Sequence, residues 1–381
     1  MTTAVTTVPP ALRIGPLAVE TPVVLAPMAG VTDAAYRRLC RSYGAGLYVS
    51  EMVSARALVE EDASSERRVS CGEEETVRSV QLYGVDPAVV GAAVRLLVEE
   101  VGVHHVDLNM GCPSPKVTRR GGGAALPVRA GLVGAIVAAA VRGAGDVPVT
   151  VKMRKGVDDA HLTYVEAGRA ARDAGASAVA LHARTAEQLY SGAADWSAIT
   201  TLRDALPDVP VLGNGDVWEA ADALAMQAQT GCDGVVVGRG CLGRPWLFRD
   251  LADAFAGRTV PPPPPLGEVV EVMREHVRLL VAHRGSEHFG CRDFRKHVGW
   301  YLTGYRVGGL RRRQLAEVSS IAQVDDLLSE LDPTAALPPE AVRLPRGHTH
   351  GPKPVVLPPG WLASGAETTV PEGADAWTSG G

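Results

Sequence analysis

Eight short runs rich in Val, Leu and Ala recur along the chain, at residues 23–27, 47–51, 79–83, 105–110, 149–153, 178–182, 209–213 and 234–238. Each is separated from the next by a stretch of helical length. Continuous apolar runs alternating with helices indicate a parallel sheet covered on both faces. Eight such units between residues 12 and 258 match the roughly 250 residues of a (β/α)8 TIM barrel, with a doubly wound sheet as the runner-up. Polar residues separate the two. Nearly every run ends in a polar or glycine-containing signature, and in a barrel those ends converge on one mouth.

The signatures are Ala26-Pro-Met-Ala-Gly-Val-Thr-Asp33, Ser50-Glu-Met52, Gln81-Leu-Tyr-Gly84, Asp107-Leu-Asn-Met-Gly-Cys-Pro113, Lys152-Met-Arg154, His182-Ala-Arg-Thr185, Gly213-Asn-Gly-Asp216 and Gly238-Arg-Gly240. The fourth carries the most chemistry: an apolar run ends abruptly in a Gly-Cys-Pro turn, which puts the Cys112 thiol just past a strand end. Asn109 offers an amide donor and a carbonyl acceptor beside it, and Pro113 stiffens the exit. Taken alone, Cys112 reads first as a buried structural cysteine, the usual state of a lone cysteine at a strand end. The last two signatures present free backbone N–H groups and a guanidinium where many barrels bind phosphate, the alternative being two glycine turns with a solvated Arg239.

Five consecutive prolines at 261–265 form a stiff polyproline spacer and mark a domain boundary. The expected organisation is an N-terminal extension (1–11), a barrel domain (12–260), the linker (261–265), a small all-helical domain (266–332) and a Pro/Gly-rich, mostly disordered tail (333–381). Between residues 284 and 313 there are eight Lys/Arg against two acids, a local balance of +6, with Phe289, Phe294, Trp300, Tyr301 and Tyr305 interleaved. Such a segment suits RNA, cations neutralising phosphates while rings stack on unpaired bases. A solvated face over an aromatic core fits the same composition, and Trp300 reads as core.

The six cysteines show no C-x-x-C pair and no His at ligand spacing, so neither a disulfide framework nor a metal site is expected. The longest apolar window, 131–141, is too short to span a bilayer, and no signal sequence opens the chain, which reads as cytoplasmic. A net charge of −5 argues weakly against nucleic acid but hides the local basic patch.

With these motifs in order, and with Phe294-Arg-Lys-His297 and Trp300-Tyr-Leu302 continuing them, the sequence resembles the tRNA-dihydrouridine synthases, most closely their bacterial B-type branch, over residues 12–331. Departures are small: Ala183 stands where the family usually has Gly, and Cys241 follows the Gly-Arg-Gly. The resemblance implies an FMN enzyme that reduces the C5=C6 bond of particular tRNA uridines, with NADPH, or NADH, as hydride donor. It implies FMN against Pro27, Met28 and Ala29, with Gln81, Lys152 and His182 at the ring and Asn214, Gly215, Asp216, Gly238 and Arg239 near the phosphate. Cys112 corresponds to the catalytic acid, and Asn109, grouped with it in the catalytic set, would hold the uracil edge or an adjacent phosphate. Arg154 and Arg184 would hold the uracil edge or an adjacent phosphate, and Arg292, Arg295 and Lys296 the tRNA backbone. A flavin barrel acting on a free pyrimidine and a non-catalytic tRNA-binding protein are the competing readings. The reduced uridine position and the oligomeric state are not encoded legibly.

Overall fold

The computed structural model describes residues 11–44, 46–72, 74–347, 351–363, 365, 367–371 and 373–374. All but one residue of the expected N-terminal extension, and the last seven residues of the tail, lie outside the described residues. The chain opens with a hairpin, β1 (Leu12–Ile14) and β2 (Leu17–Val19). Eight parallel strands then close into a barrel: β3 (Val23–Leu25), β4 (Leu47–Ser54), β5 (Ser79–Tyr83), β6 (His105–Met110), β7 (Val149–Gly156), β8 (Ala178–Thr185), β9 (Val211–Asn214) and β10 (Gly234–Val237), with β10 pairing β3. This is the TIM barrel expected.

The strands differ from the expected continuous apolar runs, because their two faces do different work. Outward side chains such as Val80, Val106, Leu108 and Val151 pack under the surrounding helices. Inward ones split in two. Val24, Val49, Ala180, Leu212 and Val236 form an apolar interior stoppered by Leu12, Ile14 and Val19 of the hairpin, which the apolar-run reading does not anticipate. On β5, β6 and β7 the inward positions are instead Ser79 and Gln81, His105, Asp107 and Asn109, and Thr150 and Lys152, at strict period two.

After the barrel, helices Leu266–Arg284, Glu287–Tyr301, Gly309–Leu315 and Ile321–Ser329 form the small all-helical unit. Its core extends into the barrel shell through Ala35, Leu39 and Trp246. Tyr36 locks the seam: its O–H donates to the Cys241 carbonyl (2.6 Å), and its ring stacks on His297 at 5.8 Å. The prolines at 261–265 are docked and do not act as a free spacer, since buried Pro264 accepts a hydrogen bond from Tyr305 O–H (2.6 Å).

For the described residues of the tail the expectation of disorder is corrected. Leu266 N–H donates to Ala335 O and Gly267 N–H to Pro333 O, both at 2.9 Å. Arg346, 2% exposed, bonds to the carbonyls of Leu242 and Trp300, and Trp361, also 2% exposed, is sunk into the barrel shell. Composition reports only local periodicity. Here Leu337, Val342 and Trp361 are covered by partners far away in sequence, which offsets the ordering entropy of a segment with almost no regular structure.

Candidate active site

All eight strands deliver residues to one cavity of about 580 Å³ at their C-terminal ends. Cys112 sits on its rim, on the turn leaving β6. The Cys112 N–H donates to Asn109 Oδ1 (2.9 Å) and its carbonyl accepts from Ala124 N–H (2.9 Å). Asn109 Nδ2 donates to Gln81 Oε1 (2.8 Å), and Gln81 Nε2 donates to Asp107 Oδ2 (2.6 Å). Thr150 Oγ1 donates to Asp107 Oδ1 (2.6 Å), and His105 bridges Thr150 (2.9 Å) and Ser79 (2.7 Å). A continuous polar chain thus runs from the barrel interior to the cysteine turn. Because Asp107 only accepts when ionised, Gln81 must present its NH2 to it, and its carbonyl is left to orient Asn109.

Burial pushes the Asp107 carboxyl up to about 6, opposed by the hydrogen bonds from Thr150 and Gln81 and by nearby Lys152, so it is mostly ionised at neutral pH. Burial also raises the Cys112 thiol, while the Ser114 N–H and Arg154 pull it back only in part. At neutral pH this sulfur holds its proton.

The opposite wall is cationic. Lys152 Nζ donates to Asn214 Oδ1 (3.0 Å), and burial, with Arg154 adding to it, lowers its pKa to about 8. Arg184 is 1% exposed; it chelates Asp216 (2.8 and 2.9 Å) and bonds to the Ser191 and Gly192 carbonyls, while its Nη1 is buried without a hydrogen-bond partner. Arg239 lies 3.7 Å from Asp216, with its guanidinium over Tyr190 (4.3 Å) and Trp218 (5.2 Å). Arg154 donates through Nε to the carbonyl of Gly111 (3.1 Å) and through Nη1 to those of Thr185 and Leu189 (both 2.8 Å), tying the loop after β8 to the cysteine turn. His182 is held neutral, its pKa well below the usual value, by burial and then by the four surrounding cations. Two carboxylates, Asp216 and the deeper Asp107, against Lys152, Arg154, Arg184 and Arg239 leave a net positive site suited to an anion.

Of the residues singled out from sequence, Pro27, Met28, Ala29, Gln81, Asn109, Cys112, Lys152, Arg154, His182, Arg184, Asn214, Gly215, Asp216, Gly238 and Arg239 all line this cavity, and Lys296 reaches it from the helical unit. Arg292 and Arg295 do not. Arg292 is exposed one turn before Lys296, and Arg295 donates to the Val318 carbonyl (2.8 Å). Trp300, read as core, is only half-buried and borders the mouth. Sequence reasoning names Met52 and Asp107 within its signatures but gives them no role, and it misses Tyr190, Trp218 and Gly347 among the lining residues and Thr150 behind them. The period-two alternation of His105, Asp107 and Asn109 is a signal that could have found Asp107; Tyr190 and Gly347 lie in irregular segments that carry none.

A closed parallel barrel with its polar residues gathered at the C-terminal mouth defines a TIM-barrel enzyme. A family model described as "Dihydrouridine synthase (Dus)" matches residues 24–336. The chain belongs to the dihydrouridine synthase family, oxidoreductases acting on CH–CH groups with NAD(P) as partner. It is 54% identical to the "Probable tRNA-dihydrouridine synthase" of Mycobacterium tuberculosis over 98% of this chain and 97% of that one. It is 41% identical to "tRNA-dihydrouridine synthase B" of Pseudomonas aeruginosa over 76% of this chain and 86% of the relative. The solved 2-naphthoyl-CoA reductase complex with 2-naphthoyl-CoA shares the fold at TM-score 0.51 and 14% identity, over 65% of this chain and about half (52%) of that one. Among the described residues no helix is long and apolar enough to cross a membrane, and no group of three potential metal-binding side chains occurs.

Proposed function

We infer that this chain is an FMN-dependent tRNA-dihydrouridine synthase that uses NADPH to reduce the C5=C6 bond of a tRNA uridine, with Cys112 as general acid. The observation that carries the reading is a thiol, Cys112, lining a cationic cavity whose size suits a tricyclic ring and its phosphate. The residues fit FMN. The unpartnered Nη1 of Arg184, together with Arg239, offers donors for a phosphate, and Lys152 offers one cation for a ring carbonyl. Pro27, Met28 and Ala29 would hold the ring, with Gln81 and neutral His182 beside it and Asn214, Gly215, Asp216 and Gly238 toward the phosphate end. Bound and reduced, FMN supplies the hydride for C6 of the uracil.

The chain's own residues do the rest. As negative charge builds on the pyrimidine, Cys112 Sγ releases its proton to C5, so that hydride and proton together saturate the bond. Asn109 and Ala124 hold the turn from either side, which fixes where that proton is delivered. Lys152 provides fixed positive charge where the reduced cofactor is most negative. Lys152→Met should lower the midpoint potential of the bound FMN by roughly 30 to 60 mV at neutral pH, the equivalent of one charged hydrogen bond in a two-electron couple. The gap to wild type should narrow at alkaline pH as the lysine, whose pKa burial lowers, loses its proton. Potentiometric titration checks both; identical potentials at neutral pH would remove Lys152 from this role.

A stacked uridine in folded tRNA cannot enter a barrel mouth, so the nucleotide must be turned out while the rest of the RNA is gripped elsewhere. Lys296 and Trp300 on the mouth, with exposed Arg292 one turn back on the same helix, supply such a grip. Lys296→Ala should weaken tRNA binding evenly across sequences and reduce the log–log salt slope by about 1. An unaltered slope in filter-binding titrations would place the phosphate contacts elsewhere. The decisive test of the function is dihydrouridine mapping by mass spectrometry after incubating the protein with NADPH and unmodified tRNA. Product at a defined position is expected; turnover of free uracil with none of tRNA would favour the free-pyrimidine reductase.

A further inference from the structure

Beyond residue 336 the family match ends, yet the chain returns across the barrel. Lys353 N–H donates to the Glu187 carbonyl (2.9 Å) in the loop after β8. Further on, Trp361 is buried against the segment that follows the cysteine turn. Its Nε1–H donates to the Ala125 carbonyl (2.8 Å), and its ring lies so close to Gly121 that a Cβ there would come within 2.5 Å of it. The Arg129 guanidinium stacks 3.6 Å from the centroid of that ring. Arg129 is in turn held by Glu367 (2.9 Å) and donates to the Thr369 carbonyl (3.0 Å).

The inner side of this same segment touches the catalytic turn. Ala124 N–H donates to the Cys112 carbonyl (2.9 Å), and a Cβ on Gly123 would meet that oxygen at 2.5 Å and Cys112 Cβ at 3.2 Å. One layer of backbone therefore separates Trp361 from Cys112. The Cys112 turn is held from the barrel side by Asn109 Oδ1 and from outside by Ala124 N–H, and the Trp361 ring, with its Arg129–Glu367 brace, contacts Gly121 and the Ala125 carbonyl on either side of Ala124.

We propose that Trp361 is a positioning residue for Cys112, and that the C-terminal segment clamps residues 121–128 against the catalytic turn to complete the active site. The assignment of Cys112 as acid rests on the function inferred above; the clamp itself does not. Without the ring, the backing segment gains freedom, the sulfur becomes more accessible, and its proton is delivered less accurately.

The test is made on the full chain with Trp361→Ala, Trp361→Phe and Glu367→Gln. In Trp361→Ala, the rate of Cys112 alkylation by iodoacetamide, read by peptide mass spectrometry across a pH series, should rise about tenfold and its profile shift to lower pH. kcat for tRNA reduction should fall about tenfold with KM unchanged, the scale of cost that a small misplacement of a catalytic group carries. Trp361→Phe, which keeps a ring against Gly121, should restore both. Glu367→Gln, which leaves the ring in place, should move both in the same direction by about twofold, and it decides the matter if Trp361→Ala does not fold. Unchanged Cys112 alkylation and kcat in a folded Trp361→Ala would overturn the proposal, as would an equal rise in alkylation of Cys40 or Cys71, which reports general loosening. If wild-type protein reduces no tRNA, the functional reading fails while the alkylation arm still decides the clamp.

Discussion

Cys112→Ala should lower the rate of dihydrouridine formation by about 10²- to 10⁴-fold, some 3 to 5 kcal/mol of barrier, with FMN still bound and NADPH still slowly consumed. The substitution removes one atom that matters. The backbone bonds that shape the turn, Cys112 N–H to Asn109 Oδ1 and Ala124 N–H to the Cys112 carbonyl, involve no sulfur and survive it. The polar chain from Asp107 through Gln81 to Asn109 also stays intact, so geometry is retained and only the proton donor is lost. In wild type, burial raises the thiol's pKa, so its acid form persists through neutral pH and the rate falls only as pH rises past that raised value. That alkaline limb should vanish in Cys112→Ala. Time courses of dihydrouridine per tRNA, read by mass spectrometry, check both; a variant as fast as wild type would remove Cys112 from the mechanism.

Glu75→Gln should destabilise the fold by about 3 to 5 kcal/mol, the usual cost of removing one partner of a buried ion pair. Arg37 and Glu75 have fully buried side chains and meet in a two-pronged contact at 2.8 and 3.2 Å. Arg37 also donates to the carbonyls of Thr32 (2.9 Å) and Ser70 (3.1 Å), and Gly72 N–H donates to Glu75 Oε1 (3.3 Å). Taking away the carboxylate charge leaves the guanidinium charged in a dry site, with only neutral carbonyl acceptors to offset its desolvation. The damage should reach the mouth, because Thr32 is bonded to Met28, which lines the cavity, through both its N–H and its hydroxyl group. Chemical denaturation should show a lower midpoint and weaker FMN retention. Replacing both partners by apolar residues, Arg37→Met with Glu75→Leu, should recover much of the loss. A midpoint equal to wild type for Glu75→Gln alone would mean the pair is not needed.

The barrel was legible because its signal is local and repeated. Eight apolar runs of strand length, each closed by a polar or glycine signature, are incompatible with most other architectures. The lining residues were legible for the same reason, since the signatures fall at strand ends and a barrel brings strand ends together. The helical unit was legible from its period, although its basic residues are not one surface: Arg284 pairs with Asp293 and Arg295 is spent on Val318, while Lys296 reaches the mouth.

The rest depends on what lies opposite each side chain. Arg154 and Arg184 look alike in sequence, yet the first holds three loop carbonyls while the second keeps one buried nitrogen open. Asp107 is an acid in a strand until Thr150 and Gln81 are seen to satisfy it. A Pro/Gly-rich tail cannot announce that Trp361 fits beneath Arg129 and above Gly121, because the cavity it fills is made by residues more than two hundred positions away. By itself the sequence determined the barrel and the residues at its mouth, which follow from periodicity and short motifs, while the family came from the resemblance those motifs carry. Only the tertiary structure decided which polar atoms are satisfied, which remain open, and what braces the cysteine turn, because hydrogen bonding and burial are set by neighbours distant in the chain.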